Sequence, residues 1–270
     1  VSLSFVKKGV RSLFVTTIER TNEQLNDKAM KSAEQLGLLY VERKKRTIKQ
    51  LQADLQMPCN VVGKARTELY DLGSDKPLFF HPNMAAIRMK RIERGEMDPF
   101  IDMTGLHEGM SILDCTMGMA ADSWVAAYVV GSSGMVTGLE VNPYIHFIMN
   151  EGRKHYEDSH SPYGDALKRI RMIRADYNDY LREAEDNTYD VVYLDPMFTE
   201  TVEESMGMFG LKGFASYDDV TREAIENAKR VARKRVVLKD HFRSGRFEKY
   251  GFTIQKRKSA KFHFGVIELI

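Results

Sequence analysis

Three times between Ser111 and Phe198 a short apolar run ends on a carboxylate and a turn, and that repetition constrains the fold more than any other feature of the chain. The first unit is Ser111-Ile112-Leu113-Asp114, followed by Cys115-Thr116-Met117-Gly118 and then by helical spacing from Ala120 to Val130. In the second, Val136-Thr137-Gly138-Leu139 ends on Glu140-Val141-Asn142, and Pro143 opens a helix. The third, Tyr189-Asp190-Val191-Val192-Tyr193-Leu194, is almost continuously apolar and stops at Asp195-Pro196. Strand, helix and strand in alternation predict a parallel sheet. Ligands of such sheets lie beyond the carboxyl ends of the strands, where Asp114, Glu140 and Asp195 all fall.

The remaining chain adds elements to this centre. Residues 1–80 read as a small α/β unit, with strands near Leu13–Ile18, Leu38–Val41, Asn60–Val62, Thr67–Tyr70 and Pro77–Phe80 and helices near Thr21–Leu36 and Thr47–Leu55. Residues 81–270 read as the larger domain. In it Asn83–Glu93 is a helix carrying Arg88, Lys90, Arg91 and, just beyond, Arg94. One arc of that helix packs, and the basic arc faces solvent or phosphate. Ile170–Ile173 is a strand ending near Asp176, Asp219–Ala232 a helix, Arg235–Lys239 a buried strand, and Phe252–Lys256 with Phe262–Leu269 a terminal hairpin. The glycine-rich Thr199–Tyr217 suits a lid over the sheet edge, or an ordinary covering loop.

Composition excludes several classes. At 270 residues the chain holds two cysteines, Cys59 and Cys115, without metal-ligand spacing, so no disulfide framework and no metal site is expected. It has no run of eighteen apolar residues and no apolar leader near Val1, so the expected address is cytoplasmic, with no membrane partner. A formal charge of +2 leaves the question of nucleic acid to local basic clusters.

The strand-end residues suggest a nucleoside ligand. Gly118 allows close approach of backbone, and the helix opening near Ala121-Asp122 offers amide donors. Glu140 is placed to accept from ribose hydroxyls. A pyrophosphate is disfavoured because only one glycine of the Gly-x-Gly-x-x-Gly turn is present, whereas S-adenosylmethionine needs no phosphate cradle. Asp176 could accept from an adenine amine with Tyr177 covering a ring face, although taken singly it reads as a helix cap. Asp195-Pro196-Met197-Phe198 is the sharpest motif. A delocalised exocyclic amine is a poor nucleophile. The Asp195 carboxylate and Pro196 carbonyl could accept its hydrogens while Phe198 stacks on the base, a contact of ~1–3 kcal/mol, and alignment would supply most of the acceleration.

Together, Leu113–Gly118, Leu139–Pro143, Val192–Phe198 and Lys234–Lys239 resemble class I S-adenosylmethionine-dependent methyltransferases. More narrowly, Asp195-Pro196-Met197-Phe198 is similar to the motif of the ribosomal small-subunit methyltransferase J family, which methylates a guanine exocyclic amine in rRNA. The similarity spans about Met110 to Lys239. It implies an α/β fold: a Rossmann-like seven-stranded sheet with a reversed C-terminal strand, joined to the small N-terminal α/β unit. It implies S-adenosyl-L-methionine as cofactor, contacted by Ala121, Asp122, Glu140, Val141, Asp176, Tyr177 and Asp195, to which the reading of the first strand-end loop adds Asp114, Thr116 and Gly118. Asp195, Pro196 and Phe198 would be the catalytic residues, and RNA, as rRNA or a ribosomal particle, the partner. Ala120, Thr199 and Asp240-His241 depart from the family pattern. Two alternatives stay open: transfer to a protein side-chain amide or small metabolite, and a non-catalytic RNA-binding protein that retains the fold. His81 reads as a structural histidine rather than a substrate contact.

Overall fold

The computed structural model describes residues 12–81, 83–157, 161–196, 214, 219–256 and 260–269. Most of the expected lid therefore lies outside the described residues, as do Met197 and Phe198. The chain divides into two compact units. The first gathers the described residues up to Phe80 with Asn142–His155 and Phe214, and the second gathers the rest. The first unit is discontinuous in sequence, where the sequence reading places a simple break near residue 80.

In the first unit, β1 (Phe14–Thr17), α1 (Glu23–Leu36), β2 (Leu39–Tyr40), α2 (Ile48–Leu55), β3 (Cys59–Val62) and β4 (Thr67–Tyr70) follow in order. The sheet runs β2-β1-β3-β4, with β1 parallel to β2 and β3, and β4 antiparallel. Local chemistry sets the helix ends. The Asn22 side chain accepts the Leu25 N–H, and Gly37 closes α1 in the left-handed conformation. Thr47 and Gln50 cap α2 reciprocally. Phe14, Leu51, Cys59 and Val61 form the small core. The strand expected at Pro77–Phe80 is only a bridge between Leu69 and Leu78, because Pro77 has no N–H with which to extend a ladder.

The second unit begins with α3 (Asn83–Glu93) and α4 (Pro99–Thr104), then β5 (Ser111–Asp114), α5 (Ala121–Val130) and β6 (Met135–Leu139). The next helix, α6 (Pro143–Glu157), belongs through His155 to the first unit, where its Gly152 lies so close to Phe80 that a Cβ would come within 2.1 Å of it. The second unit resumes with α7 (Pro162–Lys168), β7 (Ile170–Ile173), α8 (Tyr177–Glu183), β8 (Tyr189–Leu194), α9 (Arg222–Val231), β9 (Ala232–His241), α10 (Arg246–Tyr250), β10 (Thr253–Gln255) and β11 (Phe262–Glu268).

Its sheet has seven strands in the order β10-β11-β9-β8-β5-β6-β7. Strands β5 to β9 are mutually parallel, and β11 runs antiparallel to both β9 and β10. This is the expected α/β sheet with one reversed strand near its C-terminal edge. All six residues of β8 are buried, as a central parallel strand covered on both faces requires. Leu113, Leu139, Val192, Leu194, Val236 and Leu238 pack with Ile225, Ala228 and Val231 of α9 in one core. Two short helices were not anticipated, α7, begun by Ser161 and Pro162, and α10, and α8 was foreshadowed only by the reading of Asp176 as a helix cap. Each is seven residues or fewer, too short for apolar periodicity to announce it. Among the described residues no helix is long and apolar enough to cross a membrane, and no cluster of His, Cys, Asp or Glu could hold a metal ion.

A candidate active site at the carboxyl ends of the strands

Parallel pairing brings the carboxyl ends of β5, β6, β8 and β9 to one edge. Asp114 pairs with Gly138 on one side and Tyr193 on the other, and Leu194 pairs with Leu238. The next residues along, Asp195 and Lys239, thereby emerge side by side. Backbone bonds tie the loops down: Cys115 N–H donates to the Tyr193 carbonyl at 2.9 Å and Met117 N–H to the Leu139 carbonyl at 2.9 Å. The Thr116 hydroxyl oxygen accepts the Asp195 N–H at 2.7 Å, so the first loop holds the backbone at the start of the Asp195 turn. Gly138 has no side chain because Met117 lies there: a Cβ would meet its sulfur at 2.5 Å. The loop then passes through the left-handed region at Gly118 (φ 51°) and again at Ala120 (φ 57°). Ala120 supplies no side-chain cap, so the first turn of α5 keeps amide donors at this edge.

Asp114 is turned inward. Its carboxylate accepts the Thr116 N–H at 3.1 Å and the Ser123 hydroxyl at 2.6 Å, and it is only 2% exposed. Burial pushes its carboxyl up to about 7, against the opposing pull of those two donors.

Around the same loop runs a chain of five charges. Arg88 of α3 donates to both carboxylate oxygens of Asp98, at 2.7 and 2.8 Å, and also to Asp122 at 2.5 Å. Asp122 further accepts the Tyr193 hydroxyl at 2.9 Å and faces the Lys239 ammonium at 3.4 Å. Lys239 donates to Asp195 at 2.5 Å. The titration directions follow from this geometry. Burial opposes ionisation of Asp122, but Lys239 and Arg88 together hold it well below the usual carboxylate range. Burial raises Asp195, and Lys239 alone pulls against it while Asp122 adds to the rise. Lys239, despite its burial, is held above the usual ammonium range by the two acids. With all three carboxylates ionised, they exceed the two cations by one negative charge at a partly water-excluded edge.

Of the residues singled out from sequence, Asp114, Thr116, Gly118, Ala121 and Asp122 lie between the end of β5 and the first turn of α5, and Asp195 just past β8, which this network joins. Pro196 continues from Asp195, and Phe198 lies outside the described residues. Glu140 and Val141 follow β6, with Glu140 92% buried and its N–H donated to Ile173 at 3.0 Å. Asp176 lies beyond β7 and caps α8, accepting the Asn178 N–H at 2.9 Å, with Tyr177 beginning that helix. The bland reading of Asp176 as a cap is thus correct for one of its oxygens. The sequence reading did not single out Asp98, Ser123 or Tyr193 for the site, and it used Arg88 only as part of a basic helix arc and Lys239 only as part of a motif. Arg88 also corrects one expectation: it does not lie on an arc facing solvent or phosphate but turns inward to Asp98 and Asp122.

A family model described as "Putative SAM-dependent methyltransferase" matches residues 27–263. The uncharacterized protein YpiP of Bacillus subtilis is 40% identical over 254 residues, covering 94% of this chain and 98% of its own. The ribosomal RNA small subunit methyltransferase J of Marinobacter nauticus is 31% identical over 138 residues, covering 48% of this chain and 46% of its own. The chain thus spans about half the length of that relative. A SAM-dependent methyltransferase from Neisseria gonorrhoeae has the same fold, with a TM-score of 0.60 at 17% identity, covering 95% of this chain and 96% of its own. The sheet order, the strand-end acids and the family match agree: the chain belongs to the SAM-dependent methyltransferases, enzymes whose cofactor is S-adenosyl-L-methionine.

Proposed function

We propose that this enzyme methylates an exocyclic amine of a guanine in RNA, with rRNA as the favoured substrate, in the cytoplasm. The observation that carries the reading is the placement of Asp195: its N–H is fixed by Thr116 and its carboxylate is bonded to Lys239, at the end of a buried central strand. The partial likeness to the methyltransferase J relatives supports the choice of acceptor.

The residues present fit the cofactor. The surplus negative charge of the Asp98–Arg88–Asp122–Lys239–Asp195 chain suits a sulfonium cation, the uncapped first turn of α5 at Ala121 and Asp122 suits a carboxylate, and Glu140 suits a ribose diol. Gly118 lets backbone approach, and Val141, Asp176 and Tyr177 would flank the adenine. Bound there, the cofactor supplies an electrophilic methyl group. Asp114 would act from beneath, shaping the loop through Thr116 and Ser123.

The chain's own residues then have one task, to present the amine. Asp195 accepts one of its hydrogens, the Pro196 carbonyl accepts another, and Phe198 would stack on the ring. Electron density returns to nitrogen as those hydrogen bonds form. Lys239 pulls against the rise that burial imposes on Asp195 and aims its carboxylate. Alignment of nitrogen with methyl supplies most of the rate.

The test is fractionation of cell extract after incubation with radiolabelled cofactor. Label in RNA, and almost none with Asp195→Ala, is the expected result. Label in protein or small molecules would replace the acceptor, and equal labelling by both enzymes would remove Asp195 from the mechanism.

A further inference from the structure

Just past Lys239 the chain builds a second feature that the chemistry above does not use. The turn after β9 is pinned by Asp240, which is 1% exposed and accepts from the His241 N–H at 2.7 Å, the Ser244 hydroxyl at 2.6 Å and the Arg246 guanidinium at 3.0 Å. Asp219 holds the same guanidinium at 2.7 Å. That clamp fixes the stretch from His241 to Ser244, and on it Phe242 stands 43% exposed.

A single exposed phenylalanine means little. Here it is set among other rings and cations. His241 lies 4.6 Å from the Phe242 ring and His263 6.2 Å from it, and the Arg243 guanidinium sits 4.9 Å over its face. The Phe242 N–H is bonded to the Lys261 carbonyl at 3.1 Å, which ties the turn to the start of β11. There Phe262 pairs with His241 across the strands. The Phe262 ring also lies 5.0 Å from the Lys239 ammonium that holds Asp195. The aromatic group is therefore continuous with the catalytic edge.

We propose that the Phe242 turn is a stacking platform for an unpaired base of the RNA next to the acceptor nucleotide, with Arg243 meeting the adjoining phosphate. This rests on the reading of RNA as substrate. Every base has a π face that an exposed ring can cover, and a guanidinium beside the ring adds both stacking and charge. Charge favours this occupant over an apolar protein surface: among the described residues, the exposed side chains of Arg243 and Lys261 beside this turn are cationic, while Asp240 and Asp219 are paired with Arg246. The rigid clamp means that the platform is formed before binding, so little ordering cost falls on the encounter.

The test is steady-state methyl transfer to RNA from cells lacking the enzyme, measured against RNA concentration at saturating cofactor. Phe242→Ala is expected to raise KM for RNA about tenfold with kcat within about twofold, and Phe242→Trp to restore it. Arg243→Ala is expected to weaken binding and to make it less steeply dependent on salt. Cofactor affinity should be equal in all four proteins, since the turn carries none of the strand-end acids. If wild type labels RNA and Phe242→Ala matches it in KM, the platform is overturned alone. It is equally overturned if alanine and tryptophan variants fail alike. If wild type labels no RNA, the acceptor reading falls, and the platform with it.

Discussion

Strand β8 carries a buried or half-buried acid at each end, and the fold treats the two in opposite ways. At its start, Asp190 accepts the Ser111 N–H at 2.8 Å and the Ser111 hydroxyl at 3.0 Å, and it faces Arg233 at 3.2 Å and Lys234 at 3.4 Å. Those donors outweigh burial and hold its carboxyl down at about 2. Just past the other end, Asp195 has Lys239 for a cation and Asp122 for a neighbour, and its carboxyl is raised. One edge of the sheet satisfies its charge and serves stability. The opposite edge leaves charge under-compensated, which is the state an incoming cationic cofactor and an amine can relieve.

The largest contrast should come from exchanging roles. Asp195→Ala is expected to lower methyl transfer by about 100-fold or more while leaving the melting temperature unchanged or raised. Asp190→Ala should do the reverse, costing about 2 kcal/mol by stranding the buried Ser111 N–H, with kcat unchanged per folded molecule. Denaturant titration and single-turnover rates on both variants would check this.

Next is Lys239→Met. Burial and Asp122 both raise Asp195, and only the lost cation opposed them. Since the carboxylate must be ionised to accept a hydrogen, the acid limb of the pH–rate profile should move to higher pH, in addition to a fall in rate.

Asp114 gives a pH dependence of stability with a defined sign. Its folded-state value near 7 lies above the ordinary 3.8, so the native state holds more protons across that interval. Its contribution is fully present below about pH 4 and is lost as pH rises through about 7. Asp114→Asn should flatten the dependence of melting temperature on pH over this window. The smallest effect expected is at Ala120, whose φ of 57° is strained for any residue with a Cβ. Ala120→Gly should stabilise the protein by about 1 kcal/mol, read as a rise in melting temperature.

The sheet was legible because β5, β6 and β8 are near-continuous apolar runs that stop at acids, a pattern no exposed or amphipathic element would give. The reversed strand was legible from two short strands joined by a brief polar loop. The pairing of Asp195 with Lys239 was not, since it follows from the register of Leu194 against Leu238, and register is a property of two strands rather than of either sequence. Arg88 was misread for a similar reason. Its helix is basic all along one arc, and only the positions of Asp98 and Asp122 in space decide which arginine turns inward.

The account stands most directly on the carboxylate of Asp195. A single-turnover measurement of methyl transfer to RNA, comparing wild type with Asp195→Asn at matched cofactor occupancy, isolates it: the amide keeps the shape and removes the charge. A rate lower by about 100-fold at that matched occupancy, over and above any change in cofactor affinity, is the expected result. Equal rates, or a loss explained wholly by weaker cofactor binding, would contradict the claim that this acid positions the accepting amine.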